Sequence, residues 1–217
     1  ASSTAARRRP THRIPMSYEP RRAPRHEIVR LRGRDTHLTH WGPAGGSEPP
    51  LVFLHGFLDT SDTFQFVVDA LAQERAIVAP DWRGFGRSHW QHEPYWFPNY
   101  FADLDALLDH VAPGRPARLV GHSMGGNVAA LYAGIRPERV ERLVNLEGFG
   151  LPRSGPERAP DRFREWLDAL HRPQAFSRYA FHALYPTLEI ATLPGAGHML
   201  HHEQPDAVAA LIDRFLG

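Results

Sequence analysis

The stretch Leu119-Val120-Gly121-His122-Ser123-Met124-Gly125-Gly126-Asn127 constrains this chain more than any other. It reads as a short apolar strand, a glycine-flanked serine and a helix beginning Asn127-Val128-Ala129-Ala130-Leu131. Gly121-x-Ser123-x-Gly125 between a strand and a helix is the pattern of a nucleophile elbow. A serine there sits on a sharp turn in a strained backbone, so its hydroxyl projects into a cleft. Side chains two residues to either side would strike the adjoining strand and helix, which calls for glycine. The helix aims its N-terminal N–H groups at the serine, where a developing oxyanion needs donors. The alternative is a glycine-rich turn that happens to hold a serine.

The 217 residues suffice for one sizeable core, and two full domains would be cramped. With no cysteine, the chain has no disulfide, thiolate nucleophile or cysteine-bound metal. That composition fits a reducing compartment, and a cytoplasmic location is the expectation. No apolar run approaches the ~20 residues of a membrane span. Charge is unevenly spread. Residues 1–34 hold ten arginines against Glu19 and Glu27, a net of +8; the rest holds 15 arginines against 22 acids, a net of −7. A nucleic-acid arm or a transit peptide would explain the basic end. The favoured reading is a solvated tail or leader ahead of Met16, with no nucleic-acid partner.

Residues 1–25 have no apolar period and read as disordered or loosely attached. Glu27–Leu31 and Thr36–Trp41 read as strands about a turn at Arg32-Gly33-Arg34-Asp35. Leu51–Leu54 and Ala76–Ala79 are short continuous apolar runs, as buried parallel strands should be. Asp62 or Thr63 is placed to cap a helix reaching Leu71. Asp103–Val111 and Asp206–Leu216 have helical spacing, and Val140–Leu146 and Leu188–Leu193 read as further strands. Strands alternating with helices indicate a parallel sheet covered on both faces.

Four segments in order, His55-Gly56, Asp81-Trp82-Arg83-Gly84-Phe85-Gly86-Arg87-Ser88, Gly121-His122-Ser123-Met124-Gly125-Gly126 and Gly195-Ala196-Gly197-His198, together resemble the α/β-hydrolase superfamily, in its esterase-like branch with a helical cap. The resemblance covers roughly residues 28–150 and 186–217. It implies an α/β fold with a mostly parallel, doubly wound sheet. It also implies Ser123 as nucleophile, His198 as general base, and an oxyanion hole of the Met124 and Phe57 backbone amides. Asp81 and Arg83 look like the family's loop-bracing residues. A serine needs an adjacent base, and histidine titrates near the working pH. His55 reads as shaping the oxyanion loop and His122 as packing or local hydrogen bonding. Trp82, Trp96 and His122 are candidate substrate contacts, with Trp90 and Phe97 as further pocket aromatics. His198, His201 and His202 read alternatively as a metal cluster, but the pattern lacks a paired acid, so neither metal nor cofactor is expected.

The base needs a carboxylate to hold its tautomer. In this chain order the acid falls between Ser123 and His198. Catalytic groups in open α/β sheets lie at the carboxyl ends of strands. Glu147, directly after Val140–Leu146, is the acid at such an end, while Glu189 begins its strand at the wrong edge. The alternatives are that Glu147 only braces a cap loop, or that an acid one strand later completes the set.

The family pattern has a cap of several helices and another strand after Glu147. Residues 151–187 cannot hold both. The division expected is therefore a tail over 1–25, the first part of the core over 26–150, a cap remnant over 151–185 and the second part of the core over 186–217. The cap reads as truncated or missing, with a lost segment of a longer chain near Tyr179-Ala180-Phe181-His182. The function implied is a serine hydrolase of the carboxylesterase kind acting on a small apolar acyl substrate. The alternatives are a carbon–carbon bond hydrolase or thioesterase with the same three residues, or a catalytically idle ligand-binding protein. Dehalogenases and epoxide hydrolases of this superfamily use an aspartate where Ser123 stands.

Overall fold

Strand β3 (Leu51–Leu54) is the centre of the molecule, and every residue in it is buried. The computed structural model describes residues 18–43, 48–92, 95–148 and 189–216. Around β3 lie β1 (Arg25–Leu31), β2 (Arg34–Trp41), β4 (Ile77–Pro80), β5 (Ala117–His122) and β6 (Val140–Leu146). They form one sheet in the order β1-β2-β4-β3-β5-β6. β1, β2 and β4 pair antiparallel; β4, β3, β5 and β6 are parallel. Among the parallel strands, chain order runs from β3 to β4 on one side and from β5 to β6 on the other, so a topological switch point lies between β3 and β5.

The apolar runs of the central strands follow from burial on both faces. Val52 and Leu54 pack on one side with helices α2 (Pro98–Val111) and α3 (Met124–Ile135), through Leu104, Leu108, Val128 and Tyr132. Leu51 and Phe53 pack on the other side with α1 (Gln65–Ala70) and the C-terminal helix, through Val67, Val68, Val208 and Ile212. That C-terminal helix, α5 (Pro205–Leu216), follows the single turn α4 (Leu200–Glu203). Among the described residues no helix is long and apolar enough to cross a membrane.

Several sequence-based bounds shift. The hairpin strands extend to a two-residue turn at Arg32 and Gly33, both with positive φ as such a turn demands. α2 starts at Pro98, since proline suits the first helical position, so part of the aromatic stretch is helical. Neither Asp62 nor Thr63 caps α1; a 3₁₀ turn, Ser61–Phe64, leads into it without a side-chain cap.

Two expectations are overturned. Residues 18–24 are not loosely attached. Asp69 on α1 accepts hydrogen bonds from the Tyr18 hydroxyl (2.6 Å) and the Arg21 and Arg22 amides (3.0 and 2.7 Å). Burial pushes the Asp69 carboxyl up, but these donors outweigh it and hold it below its ordinary value. Residues 189–193 are not a strand. They form no ladder, although β6 has a free edge among the described residues, and they are largely exposed. The cap remnant and the seam near Ala180 lie outside the described residues.

Candidate active site

Register brings three strand ends to one edge. Leu54 pairs with Gly121, and His122 pairs with Leu146. The residues that follow β3, β5 and β6 therefore emerge together: His55-Gly56-Phe57, Ser123 and Glu147. Ser123 has φ 50° and ψ −114°, in the left-handed half of the map that costs about 1–3 kcal/mol for a residue with a side chain. Its amide donates to Leu146 O (2.9 Å), and its carbonyl accepts from Asn127 (3.0 Å). The flanking glycines are steric requirements. A Cβ at Gly121 would sit 2.6 Å from the Gly125 backbone, and one at Gly125 would sit 2.1 Å from Leu54 O.

His198 bridges the other two side chains. Its Nε2 is 3.0 Å from Ser123 Oγ and its Nδ1 is 3.0 Å from Glu147 Oε2. Both His198 and Glu147 are about half exposed. Glu147 also has positive φ, 55°. Asn145 supports that turn by accepting the Gly148 amide on Oδ1 (2.6 Å). The histidine loop is tied down by backbone contacts: Gly197 N donates to Glu203 Oε2 (2.7 Å), and Gln204 Nε2 donates to Pro194 O (2.9 Å).

His122 has a role that its neighbourhood in sequence does not reveal. It is buried, and its Nε2 donates to the His198 carbonyl at 2.8 Å. It thus positions the backbone that carries the His198 ring. Burial keeps His122 below its ordinary pKa. From sequence, His122 reads as a packing or local hydrogen-bonding residue; its long-range partner, and the supports from Asn145, Glu203 and Gln204, are not singled out by pattern. No spacing rule marks them.

His55 is likewise buried and held below its ordinary pKa by desolvation. Its Nδ1 donates to Gly56 O (2.7 Å), and its Nε2 accepts the Trp82 amide (2.9 Å). Trp82 Nε1 donates back to His55 O (3.0 Å). This closed exchange shapes the loop carrying Phe57. It also corrects the expectation that Trp82 and His122 contact substrate, because both rings are enclosed in the interior. Trp96 and Trp90 are exposed, and Phe57 and Leu58 stand exposed beside the elbow loop. The Phe57 and Met124 amides have no hydrogen-bond partner among the described residues.

Asp81 and Arg83 brace their loop. Asp81 accepts from the Ser61 and Arg87 amides (2.7 and 2.9 Å), and Arg83 pairs with Asp103. Burial pushes Asp81 up, but these donors and nearby His37 bring it below its ordinary value. Gly86 is held against it: a Cβ there would meet Asp81 Oδ2 at 2.2 Å. His198, His201 and His202 do not converge as a trio. His201 and His202 turn their Nε2 atoms to Thr63 Oγ1, at 3.0 and 2.6 Å. Asp59, His122 and His201, however, each place one ligand-type atom within 4.8 Å of the others.

A serine at a strained strand–helix turn, with imidazole and carboxylate in line at a switch point, invites comparison with known proteins. A family model for the alpha/beta hydrolase fold matches residues 49–190. The chain belongs to the alpha/beta hydrolase fold family. This hydrolase-fold chain is 40% identical over 114 residues to a serine hydrolase-like protein of Danio rerio, covering 51% of this chain and 33% of the relative. It is 36% identical over 138 residues to lipase LipV of Mycobacterium tuberculosis, covering 63% of this chain and 48% of the lipase. It therefore spans about a third to a half of the length of these relatives. Among solved structures, the thioesterase domain from the curacin biosynthetic pathway is 26% identical with TM-score 0.55, covering 77% of this chain and 64% of that one.

Proposed function

We propose that the chain is a serine hydrolase that cleaves an ester or related acyl bond of a small apolar substrate through an acyl-enzyme. The observation that carries this reading is His198, whose two ring nitrogens each lie 3.0 Å from a reaction partner, Ser123 Oγ and Glu147 Oε2. His198 Nε2 takes the hydroxyl proton as Ser123 Oγ attacks the acyl carbon. Glu147 holds the proton on Nδ1 and stabilises the imidazolium as it forms. The unpartnered amides of Phe57 and Met124 receive the oxyanion, a role in which each donor is worth about 10²–10³ in rate. His198 then gives its proton to the leaving group. Water, activated by the same imidazole, splits the acyl ester and restores Ser123.

Ser123 also selects the bond. Serine attack on an epoxide or alkyl halide would leave an ether, which water at an imidazole base does not cleave. Attack on an acyl carbon leaves an ester, which turns over. The names of two relatives, a lipase and a thioesterase domain, agree with acyl chemistry. The exposed Phe57, Leu58 and Trp96 side chains supply apolar surface for the acyl group or its leaving partner.

A panel of p-nitrophenyl esters and thioesters, running from acetyl to decanoyl, tests the proposal. Turnover that depends on acyl length and vanishes in Ser123→Ala is the expected result. Failure to cleave any of them, or cleavage that survives Ser123→Ala, would overturn it.

A further inference from the structure

Three buried side-chain atoms gather around the residue that precedes Ser123. His122 Nδ1, His201 Nδ1 and Asp59 Oδ2 are each enclosed and lack a hydrogen-bond partner among the described residues. Buried polar atoms are seldom left so, and three gathered in one place call for a shared partner. The other atoms of these side chains are all engaged. His122 Nε2 donates to His198 O (2.8 Å), His201 Nε2 faces Thr63 Oγ1 (3.0 Å), and Asp59 Oδ1 accepts the Thr60 amide (2.9 Å). For His122 this is the outer-shell arrangement of a metal ligand: the far nitrogen gives its hydrogen to a carbonyl, which turns the Nδ1 lone pair inward, and the contact of His201 with the Thr63 hydroxyl allows the same tautomer.

We infer that Asp59, His122 and His201 form a site for a zinc-class divalent cation built on the residue before Ser123. Two imidazoles and one carboxylate are a suitable donor set for such an ion, with water completing a tetrahedron. Their ligand atoms lie within 4.8 Å of one another. Metal–ligand bonds of about 2.0–2.2 Å put tetrahedral ligands about 3.3 Å apart, so closure needs an inward shift of about 1 Å. Asp59 can supply much of it, being partly exposed in a loop next to Leu58, which has φ 57°.

The three ligands come from the loop after β3, the last residue of β5, and α4. An ion here would pin the C-terminal histidine loop to the sheet, and through the His122–His198 bond it would steady the base. The site is independent of the acyl-hydrolase reading and would stand even if Ser123 cleaved no ester. It departs from the expectation of a metal-free chain.

Zinc itself is the probe. Protein stripped with EDTA is titrated with zinc against a chromophoric chelator, its zinc content is measured after dialysis, and its thermal unfolding is followed. The expected result is one tightly held zinc per chain, a rise of several degrees in Tm reversed by EDTA, and visible ligand-field absorption with cobalt in its place. Asp59→Asn keeps the shape and removes the charged ligand; it should weaken zinc by about 100-fold. His110→Ala, an exposed histidine elsewhere, should leave affinity unchanged. His201→Ala risks unfolding, so Asp59→Asn is the deciding variant. Two results overturn the inference. One is no zinc retained from micromolar solution, which would mean that water bridges the three atoms. The other is equal affinity in Asp59→Asn, which would mean that surface histidines hold the metal.

Discussion

Two histidine–carboxylate pairs stand at the same edge of the sheet, and they differ in everything except distance. His37 Nδ1 lies 2.9 Å from Asp81 Oδ2; His198 Nδ1 lies 3.0 Å from Glu147 Oε2. The first pair is 2% exposed at both residues, and the second is 51% and 44% exposed. The decisive contrast is at the second ring nitrogen. His37 Nε2 faces His26 Nδ1 (3.2 Å) and the Arg87 guanidinium (3.0 Å), so it is enclosed by other side chains. His198 Nε2 ends on a serine hydroxyl in a strained turn. Asp81 is saturated by backbone donors, and its contact with His37 is close but poorly aligned. The lesson is that an imidazole–carboxylate contact says little by itself. What the far nitrogen meets separates a brace from a base.

Exchanging the two roles by mutation tests this contrast. The largest effect belongs to Ser123→Ala, which should lower kcat for a cleaved ester by about 10⁴-fold or more while the protein stays folded. Glu147→Gln should lower kcat by about 10²–10⁴-fold with little change in Tm, because the carboxylate is half exposed and its stabilising contribution is screened. Asp81→Asn should do the reverse. It leaves buried donors short of their acceptor, so stability to denaturant should fall by about 1–3 kcal/mol while kcat per folded molecule changes little.

The brace should also show in pH dependence. Burial lowers the His37 pKa, helped by Arg87 and His26 and opposed by Asp81. Its contribution to stability is then complete above about 6.5 and is lost as pH falls toward the folded-state value. The depressed Asp81 carboxyl adds a second loss as pH falls below about 3.8. Denaturant titrations at pH 7, 5 and 3 should show stability falling in both windows, and Asp81→Asn should flatten the lower one. The smallest effect should come from Arg30→Ala, which breaks an exposed pair with Asp35 and should cost no more than about 0.5 kcal/mol.

Much of this site was legible because sterics write themselves into sequence. Gly121 and Gly125 are glycines because backbone lies 2.6 and 2.1 Å from where their Cβ atoms would be. Glu147 could be chosen among the acids because strand ends share an edge, and the structure brings its carboxylate to His198. What escaped was long-range satisfaction of polar groups. Trp82 reads as a pocket aromatic until its indole is seen donating to His55 O. The basic stretch ahead of β1 reads as a solvated tail, yet Tyr18, Arg21 and Arg22 answer the buried Asp69. Residues 189–193 carry the composition of a strand but join no ladder among the described residues. Asp59, His122 and His201 are scattered along the chain, and no local pattern announces their meeting.

Fluorophosphonate labelling, followed in time by intact mass and located by peptide mapping, tests most directly whether Ser123, His198 and Glu147 act as one unit. The account predicts a single adduct on Ser123 that forms at neutral pH and forms at least about 100-fold more slowly in Glu147→Gln. Folded protein that takes no label, or a Glu147→Gln variant labelled at the rate of the unsubstituted chain, would contradict it.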